Sequence, residues 1–170
     1  MALLEVLHFP DPRLRTVAKA IDEITPEIKT IATNMLETMY DENGVGLAAT
    51  QINVHKRIVV IDISEDRDQP MIIINPEIVE KSGEEESQEG CLSVPDTHAD
   101  IIRNEFVTLQ YLDINGKLQV LNADGLLAVC IQHELDHLMG KLFIDYLSPF
   151  KQKRIKAKFE KLQRQNAKFS

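Results

Sequence analysis

The sequence predicts an α+β fold. Three features predict it: a helical apolar period over residues 28–39, short β-branched runs closed by an Asn-Gly turn, and a late helix that concentrates histidine and acid. In chain order, Thr25-Pro26-Glu27 reads as a helix start, because threonine caps orphan N–H groups and proline suits the first turn. Ile28, Ile31, Met35, Leu36 and Met39 then fall on one helical face and deliver the chain to Gly44. Ile58-Val59-Val60-Ile61 and Met71-Ile72-Ile73-Ile74 read as buried strands. Phe106 to Leu112 and Leu118 to Leu121 flank Asn115-Gly116 as a hairpin. Residues 82–88 are polar and acidic and are expected to form an exposed connection, with Glu84-Glu85-Glu86 as a solvated turn. Asp124 and Gly140 bracket the late helix as cap and terminator, and a basic C-terminal helix is expected at about 149–166.

At 170 residues and 44% hydrophobic, the chain can bury a core without disulfide staples, so one domain over 1–170 is expected. Two cysteines, no secretory apolar region and no run long enough to span a bilayer point to the cytoplasm, with no membrane partner. A monomer is the default expectation. Charge is uneven: residues 151–170 hold eight basic residues against the single acid Glu160, a local +7, so the rest of the chain stands at −15 for a total of −8. An acidic body with one basic helix suggests a specific anionic partner rather than general nucleic-acid affinity. Within that helix Ile155, Phe159 and Leu162 form a narrow apolar stripe for docking.

His133-Glu134-Leu135-Asp136-His137 carries the chemistry. Side chains four apart lie on one helical face about 6 Å along the axis, so two imidazoles can grip one metal ion. Glu134 between them can reach a water at that ion and act as general base. Leu126, Leu127, Val129, Cys130 and Ile131 supply an apolar surround. The fold expectation thus sharpens to mixed or antiparallel strands packed around a central metal-binding helix, with helices toward both ends.

Hydrolytic centres usually take three protein ligands and leave one position for water. Glu160 has the position of a distant third ligand but sits in the basic run KAKFEKLQ, which suits a solvated pair. Cys130 shares the helical stripe, yet three ligands on successive turns span about 10 Å while metal bonds reach only about 2.0–2.3 Å. It reads better as a small apolar wall residue. Cys91, in Glu89-Gly90-Cys91-Leu92-Ser93, is the better candidate, beside the alternative of a buried packing cysteine. Thiolate with two imidazoles would suit zinc, ferrous iron, cobalt or nickel. Glu89 could hydrogen-bond a metal ligand or an arginine such as Arg103.

The third segment is Gly44-Val45-Gly46-Leu47-Ala48-Ala49-Thr50-Gln51, whose small residues permit close backbone approach. It lacks the third glycine and the preceding strand of a dinucleotide site. Gln51 could offer its amide to a developing oxyanion.

With GVGLAATQ, EGCLS and QHELDH in this order and spacing, and Phe9-Pro10-Asp11-Pro12-Arg13-Leu14-Arg15 near the start, the chain resembles the peptide deformylases. These are metal hydrolases that remove formate from the formyl-methionine of newly made polypeptides. The resemblance implies that Cys91, His133 and His137 bind one divalent metal, and that Glu134 deprotonates the attacking water and protonates the leaving amine. It implies that Gln51 and the backbone N–H of Leu92 steady the formyl oxygen, and that Val45, Leu126, Val129 and Cys130 line the methionine pocket. Backbone groups of the Gly44-Val45-Gly46 segment would meet the peptide in an extended pairing. It favours ferrous iron, with zinc, nickel or cobalt as possible occupants, and it suggests that the basic C-terminal helix meets the ribosome near the exit tunnel, beside the alternative of a simple solvated amphipathic helix. Ser87 and His98 depart from the pattern, where an aliphatic residue and an arginine are common; His98 reads as a surface-loop residue.

Two rivals stand beside this expectation. A zincin-like general metallopeptidase leaves Cys91, Gln51 and the glycine segment without roles. A non-enzymatic, ribosome-associated metal-binding module needs a closed four-ligand site and would be indifferent to Glu134.

Overall fold

The Thr25 hydroxyl accepts the Ile28 N–H at 3.3 Å, and Pro26 opens helix α1 (Pro26–Asp41) behind it, as the cap pattern predicts. The computed structural model describes residues 2–169, with side chains described through Gln165. α1 buries Ile28, Ala32, Met35 and Met39, while Ile31 and Leu36 flank the same core half-buried. Seven strands follow: β1 (Gly46–Ala48), β2 (Ile58–Ile61), β3 (Met71–Ser82), β4 (Glu85–Cys91), β5 (Val94–Arg103), β6 (Phe106–Leu112) and β7 (Leu118–Ala123). Helices α2 (Gly125–Leu138) and α3 (Pro149–Phe169) follow, and among the described residues no helix is long and apolar enough to cross a membrane.

The main sheet is antiparallel in the order β1-β2-β3-β6-β7, and β4 pairs with β5 as a separate hairpin. Strand β2 is buried along its whole length, and its period of two divides the interior. Ile58 and Val60 point into a core shared with α1, whereas Val59 and Ile61 point into one shared with Ala128, Ile131 and Leu138 of α2. The sheet is therefore a partition between the two helices. A third core gathers Leu7, Phe9 and Leu14 with Val94 and Ile101 of β5, the segment 142–144, and Phe159 of α3.

Two local expectations change. The acidic stretch is a strand rather than a connection: β3 runs to Ser82, the turn is Gly83-Glu84 with Gly83 at φ 69°, and β4 starts at Glu85. Pairing with β5, from Glu85 opposite Arg103 to Glu89 opposite Ala99, supplies the backbone partners that the polar side chains do not. His98 lies within β5 rather than in a loop, with its ring over Gly90, where a Cβ would stand 2.8 Å from it.

Helix α2 begins after Asp124, but the Asp124 side chain makes no cap bond; its carbonyl accepts the Ala128 N–H at 3.2 Å instead. Its far end is a Schellman stop. Gly140 N–H bonds the His137 carbonyl at 3.0 Å, and Lys141 N–H bonds that of Asp136 at 2.9 Å. Gly140 takes φ 77°, and a Cβ there would lie 2.5 Å from the Arg15 carbonyl oxygen, so only glycine fits. This stop fixes the last turn of α2, which carries His137.

Candidate active site

One turn of α2 places His133 Nε2 3.2 Å from His137 Nε2, and His137 Nε2 lies 3.2 Å from the Cys91 Sγ. Cys91 ends β4 at a pairing irregularity between Glu89 and Cys91, which turns the thiol toward the helix. The three donor atoms lie within 4.8 Å of one another. Donors bonded to one tetrahedral ion at about 2.0–2.3 Å would stand roughly 3.3–3.7 Å apart, so this arrangement fits a single ion. The donor chemistry fits too: one soft sulfur and two imidazole nitrogens suit a transition ion rather than magnesium or calcium. Burial, with the nearby positive charge of Arg103, holds His137 well below its ordinary pKa, which keeps that imidazole a neutral donor.

Behind the donors stands a buried charge network. Glu89 accepts from His133 Nδ1 at 3.0 Å and from Arg103 Nε and Nη2 at 2.7 Å each. Arg103 Nη1 reaches Asp136 at 2.7 Å, and the Tyr146 hydroxyl donates to the same Asp136 oxygen at 2.8 Å. Burial opposes the charge on Glu89, but the bonds from Arg103 and His133 outweigh it and bring its pKa down to about 2. A carboxylate fixed in this way holds the His133 proton on Nδ1 and frees Nε2 as a lone-pair donor. Glu89 thus takes both partners that its position in the sequence suggests, a histidine of the cluster and Arg103. Asp136 and Tyr146 escape sequence reasoning, although Asp136 stands only three residues beyond His133 on α2.

Glu134 is 2% exposed, and its Oε2 has no hydrogen-bond partner. Its other oxygen lies 3.6 Å from His133 Nε2. Burial, first among the causes, pushes its pKa up to about 7, so the group can take up and release a proton near neutrality. Directly across from it is β1, the edge of the main sheet: a Cβ on Gly46 would stand 3.1 Å from Glu134 Cγ and Oε2. Val45 carbonyl accepts the Asp62 N–H at 2.9 Å, and Gly46 pairs opposite Ile61. Antiparallel ladder bonds skip alternate residues, so Gly46 N–H and C=O face away from β2. Ala48 N–H faces the same way and donates to Gln51 Oε1 at 2.9 Å. That bond aims the Gln51 amide nitrogen at Ser93 Oγ, 3.0 Å, and at Cys91 Sγ, 3.5 Å. Ser93, which also donates its N–H to Cys91 Sγ at 3.4 Å, is a contact the sequence reading missed.

The remaining residues singled out from the sequence fall around this edge. The Leu92 side chain packs against Gly44, where a Cβ would lie 2.9 Å from Leu92 Cδ1. Val45 is 37% exposed and Leu126 55% exposed, Val129 is half-buried, and Cys130 is buried in the α2 core. Burial, with Glu134 and Glu89 adding to it, raises the Cys130 thiol to about 12, so it packs as a neutral wall residue. Glu160 lies far along α3 in a loose 4.0 Å pair with Lys156.

The polypeptide deformylase family model matches residues 3–153. A peptide deformylase of Pseudoalteromonas translucida is 60% identical over 161 residues, covering 95% of this chain and 96% of that protein. One from Hamiltonella defensa is 58% identical over 168 residues, covering 99% and 98%. Among solved structures, a peptide deformylase from Legionella pneumophila superposes with a TM-score of 0.91 at 46% identity, with 98% of each chain covered. One from Ehrlichia chaffeensis, in complex with actinonin, gives 0.92 at 40% identity over 96% of this chain and 99% of that one. Sequence likeness at this level, carried across nearly the whole fold, places the chain in the polypeptide deformylase family.

Proposed function

We propose that this chain is a metal-dependent hydrolase that removes the N-terminal formyl group from the formyl-methionine of new polypeptides. The observation that carries the reading at residue level is the convergence of Cys91, His133 and His137 beside a buried, unpartnered Glu134 carboxylate oxygen, directly under the free edge of β1. Cys91, His133 and His137 would hold one divalent ion, ferrous iron in our reading, with zinc, nickel or cobalt as substitutes. Bound there, such an ion supplies Lewis acidity toward water and toward the formyl oxygen.

The chain's own groups do the rest. Glu134 takes a proton from the attacking water as its oxygen bonds to the formyl carbon. It then gives that proton to the amine nitrogen as the C–N bond breaks, leaving formic acid, which ionises to formate, and an amino terminus that takes up the released proton. Gln51 Nε2 and the Leu92 N–H donate to the formyl oxygen as charge gathers on it, a donor of this kind contributing about 3 kcal/mol to the barrier reduction. The Gly44-Val45-Gly46 segment binds the peptide as an added strand through Gly46 N–H and C=O. Val45, Leu126, Val129 and Cys130 receive the methionine side chain. Glu89 and Arg103 keep His133 in the donor tautomer.

We further read residues 1–170 as one catalytic domain acting as a monomer in the cytoplasm, with α3 meeting the ribosome near the exit tunnel. Among the described residues the metal-type cluster consists of Cys91, His133 and His137, which leaves a coordination position open and favours catalysis over a closed structural site. The test is formate release from a formyl-methionyl peptide by anaerobically purified, iron-loaded protein, with Glu134→Ala loaded identically. Release by the wild type and a loss of about 10³-fold in the variant at equal iron content are expected. Equal release by both would sink the base assignment, and cleavage of unformylated peptides would turn the reading toward a general metallopeptidase.

A further inference from the structure

The peptide-facing edge is held in place from outside the active site by the segment that follows β2. Arg67 donates through Nη2 to the Gly44 carbonyl and through Nη1 to the Asp62 carbonyl at 3.4 Å, and its guanidinium lies 5.1 Å above the Tyr40 ring. Arg67 holds this position from a left-handed backbone, φ 57°, which a bulky L-residue rarely adopts. Beneath it, the Asp62 carboxylate is 1% exposed and gathers four donors. These are the Tyr40 hydroxyl at 2.6 Å, the Ser64 N–H at 2.9 Å, the Ser64 hydroxyl at 2.5 Å and the Gln69 N–H at 3.2 Å. The Asp62 N–H in turn bonds the Val45 carbonyl. Tyr40, at the end of α1, and Asp62, at the end of β2, therefore form a rigid base from which Arg67 reaches the turn Asn43-Gly44 that leads into β1.

We propose that Arg67, seated on Tyr40 and Asp62, is a positioning residue for peptide binding: it ties down the Gly44 carbonyl and so fixes the β1 edge where Gly46 meets the substrate backbone. This inference rests on the deformylase reading. The Arg67 guanidinium is engaged by the Gly44 and Asp62 carbonyls and the Tyr40 ring rather than by Cys91, His133, His137 or Glu134, so the bond-breaking groups do not depend on it. What depends on it is preorganisation. Without the guanidinium, the Gly44 carbonyl loses its fixed donor, and ordering the 43–46 turn becomes part of the cost of binding peptide. A planar fork that serves two carbonyls while stacked on a ring explains an arginine at this position; lysine keeps one donor and loses the stack.

The test is steady-state kinetics on a formyl-methionyl tripeptide with iron-loaded wild type, Arg67→Ala, Arg67→Lys and Tyr40→Phe, with iron content and melting temperature measured on the same samples. For Arg67→Ala, KM is expected to rise about tenfold, with kcat within about twofold and iron content unchanged. Arg67→Lys should recover part of the loss, and Tyr40→Phe, which keeps the ring but removes the bond to Asp62, should raise KM about threefold. A KM within about twofold of wild type in Arg67→Ala, or a fall in kcat at constant KM, overturns the proposal whatever the melting temperature does. If Arg67→Ala does not fold, Arg67→Lys and Tyr40→Phe decide by the same split. A wild type that releases no formate defeats the deformylase reading, whereas an active wild type with unaltered variants defeats only the positioning role.

Discussion

Helices α2 and α3 carry many of the chain's charged groups, and they treat charge in opposite ways. On α2, Glu134 and His137 are 2% and 1% exposed, and His133 and Asp136 are tied to Glu89, Arg103 and Tyr146. On α3, Lys151, Lys153, Arg154, Lys156 and Lys158 are exposed, and the helix is anchored by Phe159, edge-on to the Phe9 ring at 5.8 Å, with Ile155 half-buried beside it. Leu162, expected in the same docking stripe, is 41% exposed, so the anchored part of the stripe is shorter than its sequence period suggests. The difference is one of solvent. On α2, burial raises the pKa of Glu134 and lowers that of His137, while His133 and Asp136 are held by fixed partners, so this dry charge can do chemistry; wet charge on α3 is screened and remains available to a partner.

The sharpest way to break this contrast is to loosen a partner on the dry side. Glu89→Gln keeps the shape but removes the anion that orients His133, and should lower metal affinity by about 10–100-fold, read by competition with a chelator. An unchanged affinity would mean that the network is only structural. A smaller effect is expected at the stop of α2. Gly140→Ala forces a methyl toward the Arg15 carbonyl at a positive φ and should lower stability by about 2–3 kcal/mol in urea melts, with little change in kcat for the folded fraction. The smallest effect is expected on the wet side. Replacing Lys151, Arg154 and Lys158 together with glutamine should change kcat/KM on a small formyl peptide by less than about twofold, while weakening salt-sensitive co-sedimentation with ribosomes. Loss of catalysis in that variant would erase the distinction between the helices, and undiminished co-sedimentation would remove α3 from ribosome binding.

What the sequence made legible follows the same line. The α1 face, the β2 run, the β6–β7 hairpin and the two histidines of α2 carry their periods within a dozen residues, so local pattern suffices. Strand β4 does not, because Glu84-Glu85-Glu86 reads as a solvated turn in an exposed connection until β5 offers Glu85 to Glu89 a backbone ladder. The three motifs pointed to the donor residues, but no local pattern gives the distances between them. Glu89 could be matched to Arg103 on chemistry, yet Asp136 and Tyr146 enter the network only because the 142–146 segment folds back beside α2. Arg67 was invisible for the same reason: its partners Gly44 and Tyr40 are more than twenty residues away, and no local period points to them.

The tight approach of Gly46 to Glu134 has a consequence for any inhibitor that binds along the β1 edge. One way to weaken such binding is a side chain added where the compound lies close to the protein backbone. At position 46 a methyl group would stand 3.1 Å from Glu134 Cγ and Oε2, so a side chain added there presses on the carboxylate that we propose as the general base. An inhibitor whose contacts are concentrated on the Gly46 backbone would therefore bind where any added side chain also crowds Glu134.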